Sequence, residues 1–404
     1  MSSKAEELLE GAKLGRWILP SADLPNPVAL ARAIASICGV QPGSPAEAND
    51  PVVEQFRALI GEPEHLVFVI ADGFGMNFVK TLDENSFSRT QLALVSRAAF
   101  PSSTGPNLFT YGRGQWPGQH GNLGWYVHLS ELGEWATLFP WIRTRDGVSL
   151  TQLGLSGDGV FPGDLEISRY RRKSRVFIPD SISRSVATWA LYGVGSVVGY
   201  DGLAQAVDRV SDRITNAPGP TYSHIFWPAV DGAAHEFGTS HPNTHREVER
   251  LDAEIGRLRR QLPKNARIVL TADHGHLDFD EGHKFLVERT DALREMLADE
   301  PAGDERSLVF HVRRGFEQDF AAEFEHRFSE HYFLLSTGDV LELELLGPGG
   351  VSEVTLPRLG SFMAIAKSDA GMKFLSHDNR RPITLVSQHG GMSPDEMLVP
   401  VIIA

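Results

Sequence analysis

Six side chains able to hold a cation or move a proton stand at or just beyond the ends of four apolar runs. Leu66–Ala71 leads into Asp72, and Ser223–Val230 leads into Asp231 with His235 four residues on. Arg267–Thr271 leads into Asp273 and His274, and Ile383–Ser387 leads into His389. Carboxylate and imidazole suit zinc and related divalent metals, so three Asp and three His could ligate two Zn²⁺-like ions. A lone Asp at a strand end more often caps a helix or shapes a turn; the joint occurrence is what points to chemistry. Between the first two runs, AFPSSTGPNLFTYGRG (99–114) supplies hydroxyls, with Ser102, Ser103 and Thr104 each a candidate nucleophile. A hydroxyl is a poor nucleophile at its free pKa and needs a base or a metal that stabilises its alkoxide. Two metals about 4 Å apart could hold it and polarise a phosphoryl oxygen.

Such a set is useful only if the chain brings it to one place. The four runs have the composition of buried strands in a parallel sheet. Between the second and third, Thr244 is followed by Glu247, and Val248, Leu251, Ile255, Leu258 and Leu262 recur at helical spacing. That reads as a capping box opening an amphipathic helix. Strand, helix, strand implies a right-handed crossover and an α/β fold, a mostly parallel doubly wound sheet flanked by helices. In open sheets of this kind, ligands bind outside the carboxyl ends of the strands, where all four runs deliver their polar residues. Asp231 and His235 share one face of a helical turn, an arrangement that also occurs as a simple surface hydrogen bond.

The domain expectation is a helical elaboration at 1–64, a catalytic core at 65–290, a small inserted α+β cap at 291–380 and a return to the core at 381–404. The cap reading rests on a strand-like Ser307–Val312, a helix-like Gly315–Phe328, a strand-like Tyr332–Leu335 and a hairpin-like Leu346–Pro357. With 404 residues and 42% apolar residues, the chain can bury a large core and a satellite. A formal charge of −14 argues against a nucleic-acid polymer or an anionic membrane as partner. The single Cys38 excludes an internal disulfide and a thiolate metal site. No apolar run approaches a membrane span, and no apolar segment follows the charged N-terminus, so the expected location is the cytoplasm. The sequence sets no oligomeric state.

Six segments add a resemblance: VIADGFG (69–75), FPSSTGPN (100–107), WPGQHGNLG (116–124), VDGAAHEFG (230–238), TADHGH (271–276) and QHGGMSPDEMLVP (388–400). In this order they resemble the alkaline phosphatase superfamily, and within it the type I phosphodiesterase/nucleotide pyrophosphatase branch. The resemblance implies Thr104 as nucleophile, one zinc on Asp231, His235 and His389, and a second on Asp72, Asp273, His274 and the Thr104 oxygen. It also implies that Asn107 donates to a non-bridging phosphoryl oxygen. The metals implied are two divalent ions, Zn²⁺ first, with Mn²⁺ or Fe as alternatives. Arg113 is a candidate phosphate or carboxylate contact through its fork of donors. The chain departs from the branch's usual pattern at Gly105, Arg113 and His276.

The activity implied is hydrolysis of a small anionic phosphate ester, a phosphodiester or nucleotide pyrophosphate, through a phospho-threonine. Alternatives keep the site and change the reaction: a phosphomonoesterase, a phosphonate hydrolase or a phosphomutase. A metal-binding module without turnover is a third class, and an activated hydroxyl argues against it. His120, His241, His245, His276 and His283 are further histidines near the motifs. Trp116, Trp125, Trp135 and Trp141 offer either a wall for a leaving group or ordinary packing.

Overall fold

The computed structural model describes the chain except residues 45, 46, 48, 162, 164 and 376–382. Its centre is a seven-stranded sheet in the order Leu92–Arg97, Leu398–Ile403, Ala266–Thr271, His65–Ala71, Thr221–Trp227, Lys173–Pro179, Val197–Tyr200. Ala266–Thr271, His65–Ala71, Thr221–Trp227, Lys173–Pro179 and Val197–Tyr200 run parallel to one another, and Leu398–Ile403 runs antiparallel to both of its neighbours, Ala266–Thr271 and Leu92–Arg97. The strand HLVFVIA is buried along its whole length because both of its faces are covered. Val67, Val69 and Ala71 point into one apolar cluster with Leu203, Val207 and Val210 of the helix Leu203–Thr215 and Val248, Leu251 and Ile255 of the helix Pro242–Gln261. Leu66, Phe68 and Ile70 point into the opposite cluster with Leu30 and Ile34 of Pro27–Ile37 and Val53 and Phe56 of Pro51–Ile60. Period-two alternation thus puts helices on both faces, which is the doubly wound arrangement.

A second seven-stranded sheet is built from two distant stretches of sequence, in the order Tyr332–Ser336, Phe362–Ala366, Ser307–Phe310, Ala302–Asp304, Tyr126–Leu129, Glu134–Thr137, Ile142–Arg143. All its pairings are antiparallel. Val309, Phe333 and Ile365 face the central body, while Phe310, Leu334 and Ala366 pack with Phe320, Phe324 and Phe328 of the helix Glu317–Phe328. The two sheets are joined by a buried ion pair. Arg306 Nε and Nη2 donate to the two Glu396 carboxylate oxygens at 2.6 and 2.9 Å, and Arg306 Nη1 donates to the carbonyls of Ser368 and Ala370.

Three local expectations differ from the structure. Ile383–Ser387 is not a core strand: only Ser387–Gln388 forms a strand, pairing antiparallel with Leu277–Asp278, and the core strand comes later at Leu398–Ile403. Leu346–Pro357 forms turns rather than a hairpin, its glycines 347, 349 and 350 all having positive φ. The helix expected to start at Thr244 begins at Pro242 with His241 as its cap; Thr244 lies inside the first turn and its hydroxyl donates to the Gly238 carbonyl at 2.7 Å. The expected junction between cap and returning core, at 380–381, lies outside the described residues.

Candidate active site

Two strands adjacent in the central sheet end side by side, with Ile70 opposite Thr271, so Asp72 and Asp273 emerge next to each other. Their loops are tied at once: Gly73 N–H and His274 N–H both donate to Asp273 Oδ1, at 3.1 and 3.0 Å. Gly73 has φ +72°, and a Cβ there would stand 2.7 Å from His276 Nε2, so both conformation and space demand glycine. The next strand over, Thr221–Trp227, feeds the helix Ala229–Phe237, whose first turn carries Asp231 and whose second turn carries His235. Asp231 N–H donates to the Asp72 carbonyl at 3.1 Å, which fixes that helix against the first loop. His389 arrives from outside the sheet, beyond Ser387–Gln388.

All six side chains meet. Donor atoms of Asp231, His235 and His389 lie within 4.8 Å of one another, as do those of Asp72, Asp273 and His274. His274 Nε2 stands 3.4 Å from Asp72 Oδ1 and 3.6 Å from Asp273 Oδ2; His235 Nε2 and His389 Nε2 stand 3.2 and 3.6 Å from Asp231 Oδ1. The His274 and His389 rings stack with centroids 3.6 Å apart, so the two groups are contiguous. A third grouping of Asp231, His274 and His276 meets the same distance limit. His276 therefore joins the cluster, whereas His120, His241, His245 and His283 bond elsewhere, to Thr110, Asn243, Thr239 and Asp369.

Thr104 is the first residue of the helix Thr104–Arg113, at the N-terminal end of the helix dipole. Its Oγ1 lies 3.1 Å from His274 Nε2 and 3.5 Å from Asp72 Oδ1. Ser102 is spoken for: its Oγ donates to the Gly391 carbonyl at 2.7 Å and accepts from Gly390 N–H at 3.1 Å, stitching this turn to the His389 loop. A cleft of about 290 Å³ opens over the cluster, lined by Thr104, Trp125, Tyr126, Asp231, His235, Asp304, Glu305, Leu385, Gln388 and His389. Trp125 is thus the one of the four tryptophans that reaches it. Asp304, at a strand end of the second sheet, and Glu305, in the turn after it, carry no spacing signal in the sequence, and neither does Gln388 beside His389.

Two expected substrate contacts are placed otherwise. Asn107 is fully buried: its Oδ1 accepts from Ala99 N–H at 2.7 Å and its Nδ2 donates to the carbonyls of Ala99, Pro101 and Ser103. Every bond of that amide braces the nucleophile turn, leaving none to aim at a phosphoryl oxygen. Arg113 lies nine residues along the same helix from Thr104, about 13 Å away at the helical rise. It donates to the Gly163 carbonyl at 2.6 Å and lines a different cleft with Arg32, Glu47 and Arg57.

The electrostatics are those of crowded buried charge. Burial, reinforced by Asp231 and Asp273, pushes the Asp72 carboxyl well above the usual carboxylate range. Burial likewise raises Asp273. Burial would also raise Asp231, but His235 and His276 overcome it and hold that carboxyl well below its usual range. Burial lowers His276 to about 4, and burial together with His274 holds His389 well below the ordinary imidazole value. Asp304 is pushed up to about 7 by burial and by Glu305. Carboxylates this close, each stripped of water, call for a cation between them. The buried Asp273 Oδ2 and His389 Nδ1 make no hydrogen bond. An oxygen-and-imidazole donor set with an unpartnered carboxylate oxygen at its centre fits divalent metal ions.

Residues 66–390 match the model of the family described as type I phosphodiesterase / nucleotide pyrophosphatase. A search of curated protein sequences finds no match. Among solved structures, murine ectonucleotide pyrophosphatase/phosphodiesterase 5 is similar with a TM-score of 0.61 at 13% identity, over 84% of this chain and 87% of that one. An inactive form of the murine protein in complex with AMP gives 0.61 at 14% identity over 84% and 87%. The human protein gives 0.60 at 15% identity over 83% and 87%. At these identities the likeness shows the fold.

Proposed function

The chain belongs to the type I phosphodiesterase/nucleotide pyrophosphatase family, in the alkaline phosphatase superfamily, and from that premise we propose a metal-dependent hydrolase of small phosphodiesters or nucleotide pyrophosphates that works through Thr104. The observation that carries this reading is the convergence of Thr104 with two carboxylate–imidazole groups in one cleft. Asp231, His235 and His389 would hold one divalent ion, Zn²⁺ by donor chemistry, and Asp72, Asp273 and His274 with the Thr104 oxygen would hold the other. When bound, such ions supply positive charge for an alkoxide and for the phosphoryl oxygens.

The protein's own groups then have distinct tasks. Thr104 Oγ1 attacks phosphorus, forming a threonine O–P bond as the P–O bond to the leaving alcohol or phosphate breaks, and the hydroxyl proton passes through solvent to the departing oxygen. The helix N-terminus beneath Thr104 favours the negative charge that gathers there. Asn107 and Ser102 hold the turn so that Thr104, and neither Ser102 nor Ser103, lines the cleft. Water then cleaves the adduct and restores the threonine.

Charge in the cleft favours diesters. Asp304 and Glu305 line it, and no lysine or arginine does so among the described residues. A monoester brings a second negative charge against those carboxylates, where a diester brings one. An AMP complex of the murine relative makes nucleotide-derived diesters a reasonable first panel. No helix among the described residues is long and apolar enough to cross a membrane, and a cytoplasmic location is part of this proposal.

The test compares bis(p-nitrophenyl) phosphate with p-nitrophenyl phosphate, with and without chelator. The expected result is a higher kcat/KM for the diester, loss on chelation and recovery with Zn²⁺. Chelator-resistant activity would remove the metals from the account, and a preference for the monoester would reverse the charge argument.

A further inference from the structure

His276 is one of the chain's departures from the branch's usual pattern, and nothing in the mechanism above uses it. The ring is buried, and its Nε2 lies 2.9 Å from Asp231 Oδ1, nearer than His235 at 3.2 Å or His389 at 3.6 Å. Its other nitrogen, Nδ1, lies 3.0 Å from Ser387 Oγ. Ser387 acts a second time, since its backbone carbonyl accepts from His235 Nδ1 at 2.8 Å. One buried residue thus touches both an expected metal ligand and the imidazole that grips another. Around the ring, His235, His389 and His274 lie with centroids 4.8 to 5.6 Å away, and Gly73 leaves the space that Nε2 occupies.

We propose that His276 is a positioning residue of the metal centre: it donates Nε2–H to Asp231 and aims that carboxylate, while Ser387 fixes the orientation of both His276 and His235. The inference rests on the metal reading above. An ionised carboxylate only accepts, so the proton of this contact belongs to Nε2. Nδ1 is then the acceptor, and the Ser387 hydroxyl is its donor. His235, with Nδ1–H held by the Ser387 carbonyl, keeps the Nε2 lone pair free for a cation. Partners of this outer kind orient ligands and tune their basicity, and losing one typically costs about 10–100-fold in metal affinity. His276 would do for Asp231 what a carbonyl or carboxylate commonly does for a ligating histidine.

The test is competition between the full-length protein and a chromophoric chelator for Zn²⁺. The wild type should hold two ions. His276→Ala should weaken one of the two sites about 10–100-fold, with the other unchanged. His276→Gln, which keeps an N–H at the Nε2 position, should recover most of the affinity. Ser387→Ala keeps the carbonyl and loses the hydroxyl; it should weaken the same site less, and the double variant should lose less than the sum. These readouts also cover the case in which His276→Ala fails to fold. Wild-type affinity in both His276→Ala and Ser387→Ala overturns the proposal. So does a His276→Gln protein as weak as alanine with an altered absorption spectrum of bound Co²⁺, which would make His276 itself a ligand. A wild-type protein that binds no metal at all instead sinks the underlying metal reading.

Discussion

The two halves of the clustered site are built on different principles. Asp72, Asp273 and His274 leave neighbouring core strands within three residues of the last sheet pair, and all three are buried. Asp231 and His235 ride on a helix and are half-buried, and His389 comes from a loop with no place in the central sheet. Sheet register positions the first half, tightened by the Gly73 and His274 N–H bonds to Asp273 Oδ1. The second half depends on ties from elsewhere: Ser102 to Gly390 and Gly391, Asp231 N–H to the Asp72 carbonyl, and Gly391 N–H to Glu396 Oε1 at 2.7 Å. The lesson is a division of labour, with one half buried at the sheet's strand ends beneath the nucleophile and the other carried on a helix and a loop beside the cleft.

The largest effect should come from breaking the buried half. Asp273→Ala should cut kcat/KM for a diester by at least about 10³-fold, and excess Zn²⁺ should not restore it. His235→Ala removes a half-buried donor at the cleft, where water can take its place, so excess Zn²⁺ should recover part of its loss; equal rescue of the two variants would erase the distinction. Next, Arg306→Ala strands the buried Glu396 carboxylate and should cost about 3–5 kcal/mol in chemical denaturation. Because Glu396 also holds Gly391, that variant should weaken metal binding near His389 before it affects the buried half.

A pH experiment on the metal-free protein comes third. The folded Asp304 carboxyl titrates at about 7, above its value of 3.8 in the unfolded chain. Between those values the folded state therefore holds the extra proton, and stability falls as pH rises through that window. Asp72 and Asp273, raised as well, add to the same fall, so Asp304→Asn should make it shallower without abolishing it, and an unchanged slope would remove Asp304 as a contributor. The smallest effect is one of specificity: Glu305→Gln should raise the monoester-to-diester rate ratio several-fold, with the diester rate little changed.

What the sequence made legible follows the same division. An apolar run that stops at Asp72, or at Ala272 before Asp273 and His274, is a strand whose polar exit is fixed by the pleat and the sheet. His389 was singled out from Ile383–Ser387, a run with a strand's composition that pairs only at its end, outside the core, so the sequence pointed to the residue through the wrong element. Asn107 was misread for a physical reason: an amide three residues into a helix can serve a ligand or its own turn, and only the hydrogen bonds tell which. Arg113 looked close to Thr104 in sequence, yet a helix carries it to the far end of its axis. Asp304 and Glu305 had no signal, since they reach the cleft through a sheet assembled from segments about 160 residues apart. His276 was noted as a departure, but its contact with Asp231 crosses 45 residues and two separate strand exits.

The most direct measurement is mass spectrometry of the wild-type protein quenched during turnover of bis(p-nitrophenyl) phosphate. The account predicts a phosphoryl adduct, retaining the undisplaced nitrophenyl ester, on the peptide that contains Thr104, localised to that residue and absent from Thr104→Ala. An adduct on Ser102 or Ser103, or a Thr104→Ala protein that turns over at the wild-type rate with metal bound, would contradict it.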